Sequence, residues 1–281
     1  MARNRPWEVT VLVEDTVHCP ELCAEHGLAV LVEWEDNLIL YDTGQSDLLL
    51  QNAERMSLDL RGISQVVLSH GHYDHTGGLV PLLRRARKAA VVAHPNIFDR
   101  KFVKEKDGIS REIGIPFSRS EVEKACAGLH LQVLPREIVP GIYATGEIGR
   151  ETDFEGPESD FFIGFGPDER QDSLLDDQAL VVDTRSGLVV LVGCAHAGII
   201  NTLRHVRQMF PRRRIAILAG GMHLASTPSE RILRTVEGMK EFEVKRIVAG
   251  HCTGWKPICS LAAAFGDRFS RLTVGTVLGE Q

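Results

Sequence analysis

The segment Ser69-His70-Gly71-His72-Tyr73-Asp74-His75-Thr76-Gly77-Gly78 places three imidazoles and one carboxylate within six residues. Nitrogen and oxygen donors of this kind suit zinc, iron or manganese better than calcium or magnesium. In a loop leaving a strand, residues i and i+2 can project the same way. His70 and His72 can then share one ion while Asp74 and His75 turn toward a second centre. Gly71, Gly77 and Gly78 let the backbone turn tightly and bring a helix start close. A run of surface histidines is the bland alternative, but this density at the end of a short apolar strand favours metal binding.

The elements that must position this cluster follow from periodicity. Val9–Val13, Leu28–Glu33 and Leu38–Tyr41 read as strands, with a turn at Glu35-Asp36-Asn37. Val66–Ser69 is a buried strand leading into the histidines. Leu79–Lys88 reads as a helix whose Leu79, Leu82, Leu83 and Ala86 share one face, followed by a strand at Ala89–Ala93. Residues 96–128 are charged, carry Gly108, Gly114 and Pro116, and are too long for an ordinary connection. They are expected as a partly helical insertion, either covering a pocket or making a surface excursion. Gly141–Thr145 starts a new apolar run, and Glu147–Asp177 is acidic, glycine-rich and aperiodic. Ala179–Asp183 and Leu188–Val192 flank a hairpin turn at Thr184-Arg185-Ser186-Gly187. Strands at Ile215–Ala219, Arg246–Ala249 and Leu272–Val277 alternate with helices at Ile199–Met209, Ser229–Phe242 and Pro257–Phe265.

The chain has 281 residues, 43% of them apolar and 25% charged, which excludes wholesale disorder and suits one domain over 1–281. A net charge of -6 offers no basic surplus for an extended nucleic-acid groove. No apolar run approaches the ~18 residues of a membrane span. The first residues lack a hydrophobic signal core, so a cytoplasmic protein with a small-molecule substrate is expected. The six cysteines include no C-x-x-C pair, and buried free thiols are the default. The oligomeric state has no signature in the sequence.

His70-x-His72-x-Asp74-His75 resembles the signature of the metallo-β-lactamase superfamily, and Tyr41-Asp42-Thr43-Gly44 resembles the strand end that precedes it there. Gly250-His251 resembles the last metal histidine of that family. The resemblance implies an α/β fold, a four-layer αβ/βα sandwich of two mixed sheets flanked by helices. It also implies a binuclear site, with two Zn²⁺ ions, or Fe or Mn, held by His70, His72, Asp74, His75 and His251, and Asp42 orienting the histidine loop. The activity implied is hydrolysis of an ester, amide, thioester or phosphodiester by a metal-activated water, although some members are redox proteins. Glu25-His26-Gly27-Leu28, Thr145-Gly146-Glu147-Ile148, Asp177-Gln178-Ala179-Leu180, Gly193-Cys194-Ala195-His196-Ala197-Gly198 and Gly250-His251-Cys252-Thr253-Gly254 resemble one prokaryotic branch of it. That branch is labelled as similar to a dihydropterin ribofuranosylaminobenzene phosphate synthase.

The ligand pattern departs from the family's at two places. Cys194 stands where a bridging aspartate is expected, and no histidine occurs between His130 and His196. His196 is read as a ligand. Cys194 is either a coordinated thiolate or a buried inert thiol, and Asp177 either ligates or caps the hairpin. His223, at a strand end, resembles in position the extra histidine of ribonuclease Z-like members; it either protonates a leaving group beside Asp74 or is structural. Arg150, with Glu147 in the same loop, either clamps an anion or is solvated. His94 lies on the same inferred rim, and His26 reads as a local histidine. The expected function is hydrolysis of a small anionic, phosphate-containing substrate. A thioester or lactone hydrolase and a non-hydrolytic metal-binding or redox module are the alternatives.

Overall fold

Every residue of Gly187–Val192 is buried, the pattern of a strand covered on both faces. In the computed structural model, which describes residues 7–105, 110–164 and 166–280, this strand is the middle of a seven-stranded mixed sheet. That C-terminal sheet runs Phe269–Arg271, Arg246–Gly250, Ile215–Gly221, Gly187–Val192, Leu180–Thr184, Ile142–Ala144 and Arg136–Val139. An N-terminal sheet of the same size runs Val277–Gly279, Glu8–Val13, Ala29–Trp34, Asn37–Tyr41, Ile63–Val67, Ala90–Ala93 and Gly128–Leu131. Each sheet is antiparallel on one side and parallel on the other.

Alternation along the strands decides the layers. Val30, Val32, Ile39 and Tyr41 of one sheet meet Leu180, Val182, Val189 and Leu191 of the other. Ala29, Leu31 and Leu40 point the opposite way, toward helices Leu48–Arg55 and Leu79–Leu83. Val181, Val190 and Leu218 likewise face helices Ile199–Met209, Ser229–Lys240 and Trp255–Phe265. The order helix, sheet, sheet, helix is the expected four-layer sandwich. Burial of each large aliphatic side chain contributes about 1.5–3 kcal/mol before the entropy of ordering is subtracted.

Three segments differ from the sequence reading. The helix expected over Leu79–Lys88 spans only Leu79–Leu83, because the chain must turn, with Ala89 N donating to Ala86 O at 2.9 Å, to enter strand Ala90–Ala93. Leu272–Val277 is not one strand. Leu272 and Val274 are buried where the chain crosses between sheets, turning at Gly275 with a φ of 83°, so their apolar character reflects burial and not pairing. Residues 96–128 contain the helix Arg119–Ala125. They also supply strands Lys101–Lys104 and Ser110–Glu112 to a small four-stranded sheet with Phe161–Ile163 and Arg170–Gln171. Residues 106–109 of this insertion, Gly108 among them, lie outside the described residues. Among the described residues no helix is long and apolar enough to cross a membrane.

Leu180 is fully buried between the sheets. Leu180→Ala should lower the free energy of unfolding by about 2–5 kcal/mol in chemical denaturation, and a loss below about 1 kcal/mol would contradict this packing.

Candidate metal centre

The parallel strands of both sheets end on one rim, and the side chains suited to chemistry leave them there. Glu14 and Asp15 follow Glu8–Val13, Asp42 follows Asn37–Tyr41, and Ser69 and His70 come just after Ile63–Val67. Cys194, His223 and His251 come just after three neighbouring strands of the C-terminal sheet. Asp42, Ala195, His223 and His251 take left-handed φ values of 58°, 54°, 43° and 50°. Such conformations cost of order 1 kcal/mol or more for a non-glycine residue and persist only where the surroundings hold them. Glu14 does this for His251, accepting from its backbone N. Gly250 is required there, since a Cβ would lie 2.5 Å from Glu14 Oε1.

Hydrogen bonds fix which imidazole nitrogen is free. Asp42 accepts from Ser69 N at 2.7 Å, Ser69 Oγ at 2.6 Å and His75 Nδ1 at 2.7 Å. A carboxylate can only accept, so His75 carries its proton on Nδ1 and presents Nε2 as a lone pair. The Ser69 hydroxyl gives its one proton to Asp42. It therefore accepts from His70 Nδ1 at 2.9 Å, leaving His70 Nε2 free. Asp15 Oδ1 fixes His251 Nδ1 in the same way at 2.7 Å.

The free atoms converge in two sets. In one, His75 Nε2 and His251 Nε2 are 3.2 Å apart, and Cys194 Sγ is 3.2 Å and 3.4 Å from them. Asp74 Oδ2 is 3.4 Å from each of the same two nitrogens. Two nitrogens bound to one tetrahedral zinc stand about 3.3 Å apart, given Zn–N bonds of about 2.0–2.1 Å, so this is ligand spacing. In the other set His70 Nε2 faces His72 Nδ1 at 3.0 Å, and the donor atoms of His70, His196 and Cys194 lie within 4.8 Å of one another. Cys194 belongs to both sets. His72 Nε2, both nitrogens of His196, His223 Nδ1 and Glu158 Oε1 are buried with no hydrogen-bond partner among the described residues. Buried polar atoms are normally paired, and lone pairs facing each other at 3.2 Å repel unless a proton or cation lies between them. The residues therefore fit divalent ions.

The electrostatics agree with this. Burial and neighbouring imidazoles hold His70 and His72 well below the ordinary histidine range, which keeps them neutral, the state that ligates. Burial opposes protonation of His75 too, but Asp74 and Asp42 outweigh it and push it up to about 9. A proton there occupies the place of a cation. Burial pushes the Cys194 thiol well up, so a thiolate would need an ion beside it. Across the cavity, Glu158 Oε2 lies 2.8 Å from His223 Nε2. Burial lowers His223, yet Cys252 and Glu158 together raise it to about 10. A cavity of about 140 Å³ opens over the centre, lined by Tyr73, Arg111, Phe161, His223 and Cys252 besides the donors.

His70, His72, Asp74, His75, Cys194, His196 and His251 thus come together, with Asp42 behind them and His223 beside them. Asp177 stands back from the donors and accepts from Ala197 N at 2.8 Å, holding the loop that carries His196. His94 Nε2 lies 3.7 Å from Glu147 Oε2, and neither lines the cavity. Arg150 is not free to clamp an anion. Its guanidinium donates to the backbone carbonyls of Glu155 and Ser173 in the aperiodic loop and of His196 in the loop after Gly187–Val192, none of which lies in a strand. Sequence reasoning missed Asp15, Glu158, Phe161 and Arg111, which had no motif. It also read His26 as local, although His26 Nε2 lies 3.3 Å from Asp74 Oδ2. The Glu25-His26-Gly27 motif was the available signal.

A family model described as the metallo-beta-lactamase superfamily matches residues 24–251, and the chain belongs to that superfamily. Within it, a curated relative from Methanocaldococcus jannaschii is 31% identical over 267 residues, covering 91% of this chain and 90% of the relative. That relative is named 7,8-dihydropterin-6-methyl-4-(beta-D-ribofuranosyl)-aminobenzene-5'-phosphate synthase. The crystal structure of Tm1679, described as a metal-dependent hydrolase of the beta-lactamase superfamily, is 31% identical with a TM-score of 0.85, covering 97% of this chain and 98% of that one. Bacillus subtilis YhfI, at 15% identity and a TM-score of 0.61 over 98% of this chain and 100% of its own, shares the fold.

The Glu158–His223 pair sets a pH dependence in protein stripped of ions. Against the opposing effect of burial, Cys252 and Glu158 together raise His223 from 6.5 to about 10, and His196 and His223 hold the Glu158 carboxyl below its usual 4.5. The stabilisation from the pair is therefore complete between about pH 4.5 and 6.5 and is lost as pH rises from there toward about 10. Chelated wild type should melt above Glu158→Gln by a margin that shrinks across that range. A margin that widens with pH would contradict the pairing.

Proposed function

We propose that this protein is a binuclear metal-dependent hydrolase, with zinc as the working ion, acting on a small phosphate-containing anion. The observation that carries the reading is the pair of donor sets meeting at Cys194 with ligand spacing inside a small cavity. In this reading His70, His72 and His196 hold one ion, Asp74, His75 and His251 hold the other, and Cys194 lies between them. Bound divalent ions supply Lewis acidity, lowering the pKa of water toward ~7 and offsetting charge at the scissile group. The protein's own groups do the rest. Asp42 and Asp15 keep the imidazoles in their ligating tautomers. Asp74 orients the attacking water. His223, kept protonated by Glu158, delivers a proton to the departing oxygen. Phe161 and Tyr73 wall the cavity and limit water entry. Arg111, the one arginine or lysine lining the cavity among the described residues, takes the anion-binding role expected of Arg150.

A second reading, group transfer in place of hydrolysis, is supported by the name of the Methanocaldococcus jannaschii relative, a synthase of a pterin-linked ribofuranosyl phosphate. Both readings share the centre and a phosphate-bearing substrate. Product analysis with a dihydropterin carrying a diphosphate leaving group on its 6-methyl carbon and a ribofuranosylaminobenzene phosphate, in which transfer releases diphosphate and a proton, separates transfer from hydrolysis of a chromogenic phosphodiester.

Protein purified without added metal should contain two ions per chain by elemental analysis, and a metal-free, folded protein would sink the proposal. His72→Ala should lose one ion and roughly 100-fold or more in turnover; retention of both would remove His72 from the site. Arg111→Ala should raise KM for a phosphodiester about 10- to 100-fold, the worth of a charge-assisted hydrogen bond, with kcat little changed. An unaltered KM would remove Arg111 from substrate binding.

A further inference from the structure

Lys101 plays no part in the chemistry above, yet its side chain is 1% exposed, and lysines are almost never buried this fully unless paired. Its Nζ lies 2.7 Å from Asp172 Oδ2 and 2.9 Å from Asp176 Oδ1. The other oxygen of Asp176, Oδ2, accepts from the backbone N of Gly71 at 2.7 Å. Gly71 is the residue between His70 and His72. A Cβ on it would lie 3.0 Å from Lys101 Cε, 3.2 Å from Asp176 Oδ2 and 2.6 Å from Ile97 O, so the lysine stem and the carboxylate pack directly under this turn. The strand carrying Lys101 reaches the same loop through the main chain. Ile113 N donates to Lys101 O at 2.8 Å, and Tyr73 N donates to Ile113 O at 2.9 Å.

The other donor set is supported from elsewhere. His75 rests on Asp42, His251 on Asp15 and Glu14, and the carbonyls of Asp74 and His75 accept from Leu28 N and Thr43 N. Both sets draw on Asp42, which reaches His70 through Ser69 Oγ, but the bond from Gly71 N to Asp176 supports the His70-Gly71-His72 turn alone.

We propose that Lys101 is a positioning residue that acts through Asp176 to set the His70-Gly71-His72 turn, and with it the affinity of the one ion those histidines hold. The proposal rests on the binuclear reading above. The ammonium holds two carboxylates together in a dry interior. Without it they repel, Asp176 withdraws from Gly71 N, and the turn loses the bond that holds its backbone between the two histidines. Loss of an outer partner of this kind typically costs about 10- to 100-fold in metal affinity.

The test is a Co²⁺ titration of chelated protein, followed by visible absorption and calorimetry, with folding checked by thermal melting. Wild type should bind two ions, and His72→Ala identifies the step that belongs to the His70–His72 set. Lys101→Met should weaken that step by about 10- to 100-fold and shift its absorption, leaving the other step within about 3-fold. Asp176→Ala, which keeps the Lys101–Asp172 pair and so protects folding, should do the same, and it carries the test if Lys101→Met does not fold. Where both single variants fold, adding Lys101→Met to Asp176→Ala should weaken the step little further. Equal weakening of both steps, no weakening, or fully additive effects would overturn the proposal while leaving the binuclear reading intact. Wild type that takes up no Co²⁺ would overturn that reading and this proposal with it.

Discussion

A carboxylate with no solvent contact is costly unless every lone pair finds a donor, and Asp42 is such a group. It is fully buried and meets Ser69 N, Ser69 Oγ and His75 Nδ1 within 2.7 Å. Through Ser69 Oγ its influence reaches His70. One free nitrogen in each donor set, that of His70 and that of His75, is therefore aimed by a single negative charge held in a left-handed turn. The facing strand accommodates this group by ending in glycine. A Cβ at Gly193 would lie 2.2 Å from Ser69 Oγ and 2.6 Å from Ser69 Cβ, so a larger residue there would push against the group that links Asp42 to His70.

Because His70, His72 and His75 leave the N-terminal sheet while Cys194, His196 and His251 leave the C-terminal sheet, the apolar interface between the sheets sets the distance between donors. Valine, isoleucine and leucine packing thus acts on the centre at long range, and bound ions would in turn tie the two sheets together.

Much of this was legible locally. The histidine cluster lies within six residues, and the central strands announce themselves as short continuous apolar runs. What could not be read depends on pairing across the chain. Asp15 meets His251 at a separation of 236 residues, and Lys101 meets Asp176 at 75. Nothing in the aperiodic loop distinguishes Glu158 from its acidic neighbours, and only the folded loop shows that Arg150 is tied to three carbonyls. The run Leu272–Val277 misled for a related reason: burial at a crossing between sheets demands the same residues as a strand does.

The space over the centre measures about 140 Å³, well below the roughly 300–1,000 Å³ of an ordinary small-molecule pocket. A ligand too large for it must extend outward past Val103, Arg111 and Phe161, along the small sheet built from two separate stretches of chain. Recognition and reaction are thereby assigned to different segments. A descendant of this protein could acquire a new ligand by rebuilding four short strands, while the rim that carries the donor side chains is inherited unaltered.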